Sequence, residues 1–270
     1  MTWAIRPPHP VLQPLVNRYI GYEQHDVSLS VHRGLPSRHV TLIISLLDPV
    51  RMSGRAGPVS MQGLVGGLRT EPVLISQDRT LRGIHVELHP FGVRTLLGVS
   101  AAELSDRVVE LDNLGRPALT ELPDRLASTL TWSERFDILD GVLAAKAYKP
   151  RSVSTELGEA WRQMLATGGL IRIADLADEI GWSRRHFSGR FRDEIGVAPK
   201  QAARILRFER AGALLRRGHR DLAELAVACG YYDQAHLSND WRTLAGCSPR
   251  TWIAEELPFL QDDSVFAGQD

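Results

Sequence analysis

Residues 173–199 read IADLADEIGWSRRHFSGRFRDEIGVAP, and residues 222–249 read LAELAVACGYYDQAHLSNDWRTLAGCSP. They are one pattern written twice. A shift of 49 places Leu176 on Leu225, Ala177 on Ala226 and Gly181 on Gly230. Past the glycine the shift is 50, placing His186 on His236, Ser188 on Ser238, Arg192 on Arg242, Gly196 on Gly246 and Pro199 on Pro249. In the first copy Ile173, Leu176, Ala177 and Ile180 recur at helical spacing, and Gly181 offers the positive φ on which a helix ends. Ser183 is placed to cap a second helix whose inner face is Phe187, Phe191 and Ile195, leaving Arg184, Arg185, Ser188 and Arg192 outside. In the second copy Asp233 takes the cap, Leu237 and Trp241 the inner face, and Gln234, Ala235, Ser238 and Asn239 the outer one. Two short helices joined by a glycine turn, the second carrying donors for base edges or phosphates, have the shape that fits a major groove.

One such unit is weak evidence, because an amphipathic helix with arginines on its polar side is usually a solvated face. Two in tandem change the odds. Pro199 to Arg217 reads as a helix between them, opened by Pro199 and closed by Gly218. At about 1.5 Å per residue it forms a rod of roughly 28 Å, near the ~34 Å between successive major-groove faces on one side of B-DNA.

The segment GYYDQAHLSNDWRTLAGCSPRTW (230–252) resembles the signature of AraC/XylS-type transcriptional regulators: glycine, aromatic, polar turn, inner leucine, serine, aromatic, basic residue, glycine, Ser-Pro. The resemblance covers roughly the last hundred residues. It implies a seven-helix domain whose recognition helices, here 183–194 and 233–244, enter consecutive major grooves. The family commonly has an arginine after the serine of each copy. Here Gly189 and Asn239 stand there, which moves the expected basic contacts to Arg184, Arg185 and Arg192. The residues expected to touch DNA are Arg184, Arg185, Ser188, Gln234, Ser238 and Asn239 at base edges, with Arg192, Arg242 and Arg250 as phosphate anchors.

The formal net charge is zero, but it is unevenly spread. Between Ser183 and Arg220 there are eleven Lys or Arg against three Asp or Glu, and local positive charge is what phosphates feel. No run of eighteen apolar residues exists and the start MTWAIRPPHP has no apolar signal core, so a cytoplasmic protein without a membrane span is expected. Two cysteines argue against a disulfide scaffold; Cys229 and Cys247 align with Ile180 and Val197, apolar positions of the other copy.

The expected architecture is α+β: residues 1–149 a sensory or dimerisation domain, β-rich over 16–90 and helical over 91–149; residues 150–257 the DNA-binding domain of two tandem helix-turn-helix units; residues 258–270 a tail. Residues 1–14, with four prolines, read as an extended arm. VNRYIGYEQH, HVTLIISL, VSMQGLVGGL, PVLISQ and LRGIHVELH read as strands of an antiparallel sheet or barrel, with DPVRMSGRAGP among the connecting loops. Such a barrel resembles, by pattern and position, the cupin-like sensory domains of AraC-type regulators. Ser100 with Glu103 and Thr131 with Glu134 have the form of capping boxes. Phe136, Leu139, Val142 and Leu143 form a stripe that serves as core or as a dimer seam. Residues 150–154 read as the linker.

A different class is a metal-dependent cupin-type enzyme. His85 and His89, four apart on one strand, could join His32 or His39 and Glu87 at a metal. The spacing is not a recognised ligand motif, and no nucleophile triad or phosphate loop is present, so no catalytic residue, metal or cofactor is expected. A third class is a non-specific architectural DNA-binding protein. Dense lysine would favour it, but 29 Arg stand against 3 Lys, and the outer faces carry Gln, Asn and Ser able to read bases. The sequence therefore points to a sequence-specific regulator, not an enzyme. Its expected partners are double-stranded DNA, RNA polymerase, a small-molecule effector and a second copy of itself.

Overall fold

The computed structural model describes residues 2–54, 57–147 and 154–257. Residues 150–153 of the expected linker (150–154) and the tail from residue 258 lie outside them, while Ser154 caps the helix that follows. Two antiparallel sheets form the first half. One has the strand order β1 (Thr2–Arg6), β2 (Val16–His25), β9 (Thr80–Leu88), β4 (Val40–Ser45), β7 (Gly63–Gly66), β10 (Val108–Glu110); the other has β3 (Val31–Gly34), β8 (Val73–Ser76), β5 (Val50–Gly54), β6 (Gly57–Met61). The expected strands are present, with three corrections. VSMQGLVGGL is two strands in different sheets, because the chain turns the corner at Gln62, whose Nε2 donates to the carbonyls of Ser45 and Leu47 at 2.7 and 2.8 Å. DPVRMSGRAGP carries β5 and the start of β6, which pair antiparallel. The proline-rich arm pairs as β1 with β2 and is clamped down: Asp140 accepts from the Arg6 guanidinium, the His9 N–H and the Tyr19 hydroxyl.

Register sorts the larger sheet into two faces, as a period of two requires. Ile20 lies opposite His85, which lies opposite Ile43; Tyr19 lies opposite Val86, which lies opposite Leu42. The Tyr19, Val86 and Leu42 face is fully buried under helices. Gly21 must lack a Cβ there, since the Trp132 ring occupies its place. The face carrying Ile20, Ile43 and His85 looks between the two sheets.

The helices that follow are α1 (Val93–Leu97), α2 (Ala101–Leu104), α3 (Pro117–Thr120), α4 (Leu122–Ala127) and α5 (Trp132–Ala147). Both capping boxes form: Ser100 with Glu103, and Thr131 with Glu134. The Phe136, Leu139, Val142 and Leu143 stripe is buried within the chain, against the sheet and α1, so it is core and not a seam between copies. Then come α6 (Thr155–Ala166), α7 (Ile173–Glu179), α8 (Arg184–Ile195), α9 (Pro199–Arg216), α10 (Leu222–Ala228), α11 (Gln234–Ala245) and α12 (Pro249–Glu255). The apolar interior divides inside α9. One cluster runs from Leu12 through the sheet and α5 to Leu206, and a second gathers Phe208 to Leu257.

No described helix is long and apolar enough to cross a membrane.

Candidate nucleic-acid interface and cavity

Each repeat folds as two helices across a glycine turn. Gly181 and Gly230 both have φ 72°, the left-handed conformation a side chain resists, which ends α7 and α10. Ser183 caps α8 by accepting from the His186 N–H at 3.2 Å, and Asp233 caps α11 by accepting from the His236 N–H at 2.7 Å. Phe187, Phe191 and Ile195 are fully buried under α8, as are Leu237, Trp241 and Leu244 under α11. An N-cap is worth about 1 kcal/mol. Asp233→Ala is therefore expected to lower the stability of the second unit by about that much, read as an earlier urea midpoint at unchanged slope.

The nine residues expected at DNA all lie on the outer side. Arg184, Arg185 and Arg192 of α8, Gln234, Asn239 and Arg242 of α11, and Arg250 of α12 are exposed, while Ser188 and Ser238 are half-buried against their helices. Arg242 donates to the Asn239 carboxamide oxygen at 3.1 Å. Between the units α9 runs 18 residues, about 27 Å. Arg204 of α9 holds Asp240 of α11 at 2.9 Å, which sets the second recognition helix against the rod. The inner side of α8 packs on α2 and on the turn at Pro90–Gly92.

Two features of this face lay outside the sequence-derived set. An aromatic ring meets a histidine edge-on at the start of each recognition helix: Trp182 with His186, centroids 4.6 Å apart, and Tyr231 with His236, 5.2 Å apart. The shifts of 49 and 50 carry one pair onto the other, so the repeat held the signal. The second turn is one residue longer, and Tyr232 is 90% exposed.

The space between the two sheets is hollow. A cavity of about 350 Å³ lies between the two sheets and extends to α9, with Ile20, Ile43, Ile75 and Leu81 on its apolar wall and Phe208, Glu209, Gly212 and Arg216 along α9. These last residues share one helical face. Trp3 of the N-terminal arm also reaches it. His85 and Glu87 both line this cavity, whereas His89 lies past the end of β9, at the start of the turn Pro90–Gly92, with no capping bond from its side chain. Among the described residues no three His, Cys, Asp or Glu side chains come together as a metal site.

Burial works against the charge of Glu87, yet its carboxyl is held down at about 2, since Arg18 grips it with two hydrogen bonds of 2.9 and 3.0 Å. Burial lowers the neighbouring His39 to about 3 and lowers His85, so both are neutral at pH 7 and Arg18 is the compensating ion. Burial raises the Glu209 carboxyl, although Arg38 bridges to it at 3.3 Å and donates its backbone N–H at 3.0 Å. Strand β3 fastens the second unit. The fully buried Glu256 contacts His32 Nδ1 at 2.7 Å and accepts from the Arg33 N–H and guanidinium at 3.0 and 3.1 Å.

Residues 176–255 match a family described as a helix-turn-helix domain, and residues 5–110 match a domain of unknown function (DUF6597). The chain is 33% identical over 82 residues to the HTH-type transcriptional regulator Rv1931c of Mycobacterium tuberculosis, covering 30% of this chain and 32% of that protein. It is 34% identical over 77 residues to a putative AraC-like transcription regulator of Streptomyces lividans, covering 28% of this chain and 25% of that one. The chain thus spans a third or less of the length of these relatives. The crystal structure of ToxT from Vibrio cholerae superposes with a TM-score of 0.50 at 11% identity, over 88% of this chain and 96% of that chain, which shows a shared fold.

Proposed function

We propose that this protein, whose residues 176–255 match a helix-turn-helix domain, is a sequence-specific transcriptional regulator of the AraC type that seats α8 and α11 in two successive major grooves. The observation that carries this is the pair of capped, outward-facing helices held a fixed distance apart by one helix. Arg184, Arg185, Ser188, Gln234, Ser238 and Asn239 read base edges, and Arg192, Arg242 and Arg250 hold phosphates. The relatives above are named as regulators, which favours this over a cupin-type enzyme.

Footprinting on a selected site is expected to show protection over two consecutive helical turns. Protection of a single turn, or equal affinity for random duplex, would sink the assignment. Arg185→Ala is expected to relax base preference at one position, a change of about 1–3 kcal/mol in discrimination, whereas Arg192→Ala weakens every duplex and lowers the salt slope by about one. Competition binding at several salt concentrations separates the two.

The cavity between the sheets takes a small-molecule effector. Its occupant would touch α9, the element that spaces the two recognition helices, and so bias promoter occupancy. Contact with RNA polymerase, action as an activator and pairing with a second copy in the cytoplasm belong to the same reading.

A further inference from the structure

We propose that Tyr232 is a specificity-determining residue that packs its ring against the 5-methyl group of a thymine in the groove read by α11. This deepens the two-groove reading and rests on it. Among the described residues Tyr232 is the single Phe, Tyr or Trp that is exposed, at 90%. The duplication shows that the fold does not need it. In the first repeat one residue, Trp182, stands between the turn glycine and the cap, and its ring meets His186. In the second, Tyr231 takes that place against His236, and Tyr232 is the extra residue before the cap Asp233. Both repeats end their first helix at a glycine of φ 72° and cap the second through the backbone N–H three residues on. The inserted tyrosine therefore gives the helix-turn-helix nothing that the first repeat does not achieve without it.

The backbone at Tyr232 is braced on both sides. Its N–H donates to His236 Nδ1 at 3.3 Å. Just before it, the Arg207 guanidinium of α9 lies 5.2 Å over the Tyr231 ring and donates to the Gly230 carbonyl at 3.3 Å. A tyrosine on a fixed backbone has only two side-chain torsions to immobilise, so little freedom is lost when its ring makes a contact. It stands beside the first turn of α11, the end of a recognition helix that meets base edges. The neighbouring residues indicate which base. Across the shift of 50, Arg184 and Arg185 of α8 become Gln234 and Ala235 in α11. Guanidiniums suit guanine, whose O6 and N7 both accept, whereas glutamine suits adenine, and alanine or an aromatic ring suits the thymine methyl. Asn239, in the place of Gly189, adds a second group suited to adenine. The α11 groove is thus matched to A·T pairs, where the methyl is the apolar feature that marks thymine. An exposed ring that covers that methyl takes both apolar surfaces out of water.

The test starts from the duplex that the full chain selects from a random library, with each thymine replaced in turn by deoxyuridine, which lacks only the methyl. One buried methyl is worth about fourfold in affinity, so at one thymine the natural protein is expected to bind the deoxyuridine duplex about fourfold more weakly. Tyr232→Ala is expected to weaken the thymine duplex by at least that factor and to erase the difference at that position. Tyr232→Phe, which keeps the ring, is expected to preserve it. The side chain is exposed, so both variants are expected to melt with the natural protein. The absence of any methyl-sensitive thymine, methyl preferences that all survive in Tyr232→Ala, or loss of the preference in Tyr232→Phe would overturn the assignment. Two protected turns alongside any of those results would leave the two-groove docking standing, whereas protection of a single turn would remove the docking itself.

Discussion

Trp241→Ala is expected to cost about 3–5 kcal/mol, the range for deleting a large buried aromatic, and to melt the second helix-turn-helix ahead of the rest. The indole is fully buried. It meets Phe208 of α9 at 4.6 Å between centroids and Trp252 of α12 edge-on at 5.4 Å. It belongs to a cluster whose buried members run from Phe208 to Leu257, with Leu35 of the first half packed against it. Loss of the indole therefore strikes this cluster while the cluster containing the sheet and α8 keeps all its members. Urea denaturation of the variant is expected to show two transitions, with footprint protection lost over the α11 groove first. Phe191→Ala, equally buried but in the larger cluster, is expected to lower the main transition instead. A single shared transition in both variants would show that the two clusters unfold as one.

Arg18→Met is expected to destabilise the larger sheet by about 3 kcal/mol or more, because it leaves the Glu87 carboxylate buried without its ion. Both partners are enclosed, with side-chain exposures of 13% and 8%. The pH dependence carries the sign. Glu87 titrates at about 2 in the folded chain, below the ~4.3 of a free glutamate. Its contribution is therefore complete above pH ~4.3 and is lost as pH falls from there towards 2. Melting temperature followed across that window is expected to drop in the natural protein and to flatten in Arg18→Met. Adding Glu87→Gln to Arg18→Met is expected to restore part of the loss, since a neutral amide is cheaper to bury. Arg18→Met with unchanged stability would mean that Glu87 takes up a proton at little cost.

What could be read from the sequence was local. The caps at Ser183, Asp233, Ser100 and Thr131 are contacts between residues three apart, and the inner faces of α8 and α11 repeat at helical period, so neighbours in sequence disclosed them. The hollow between the sheets was hidden because it depends on pairing between distant strands. Whether His85 and Glu87 faced inside followed only from their register with Ile20 and Thr41. The β5–β6 pairing was lost in a run of Gly, Pro, Arg and Asp that reads as loop. In the sequence Arg216 was only one of the eleven cations between Ser183 and Arg220, and it is the sheets packed over that face of α9 that bring it to the cavity wall.

Because the first half of α9 is built into one cluster through Ala202, Ala203, Ile205 and Leu206, and the second into the other through Phe208, Ala211 and Leu215, the recognition helices cannot pivot independently without bending a continuous rod. DNA turns once per about 10.5 base pairs. One base pair added between the half-sites swings them about a tenth of a turn out of phase. On the proposed two-groove reading, binding would depend on angular phasing as well as on base sequence, and a single inserted base pair that alters neither half-site is expected to weaken it.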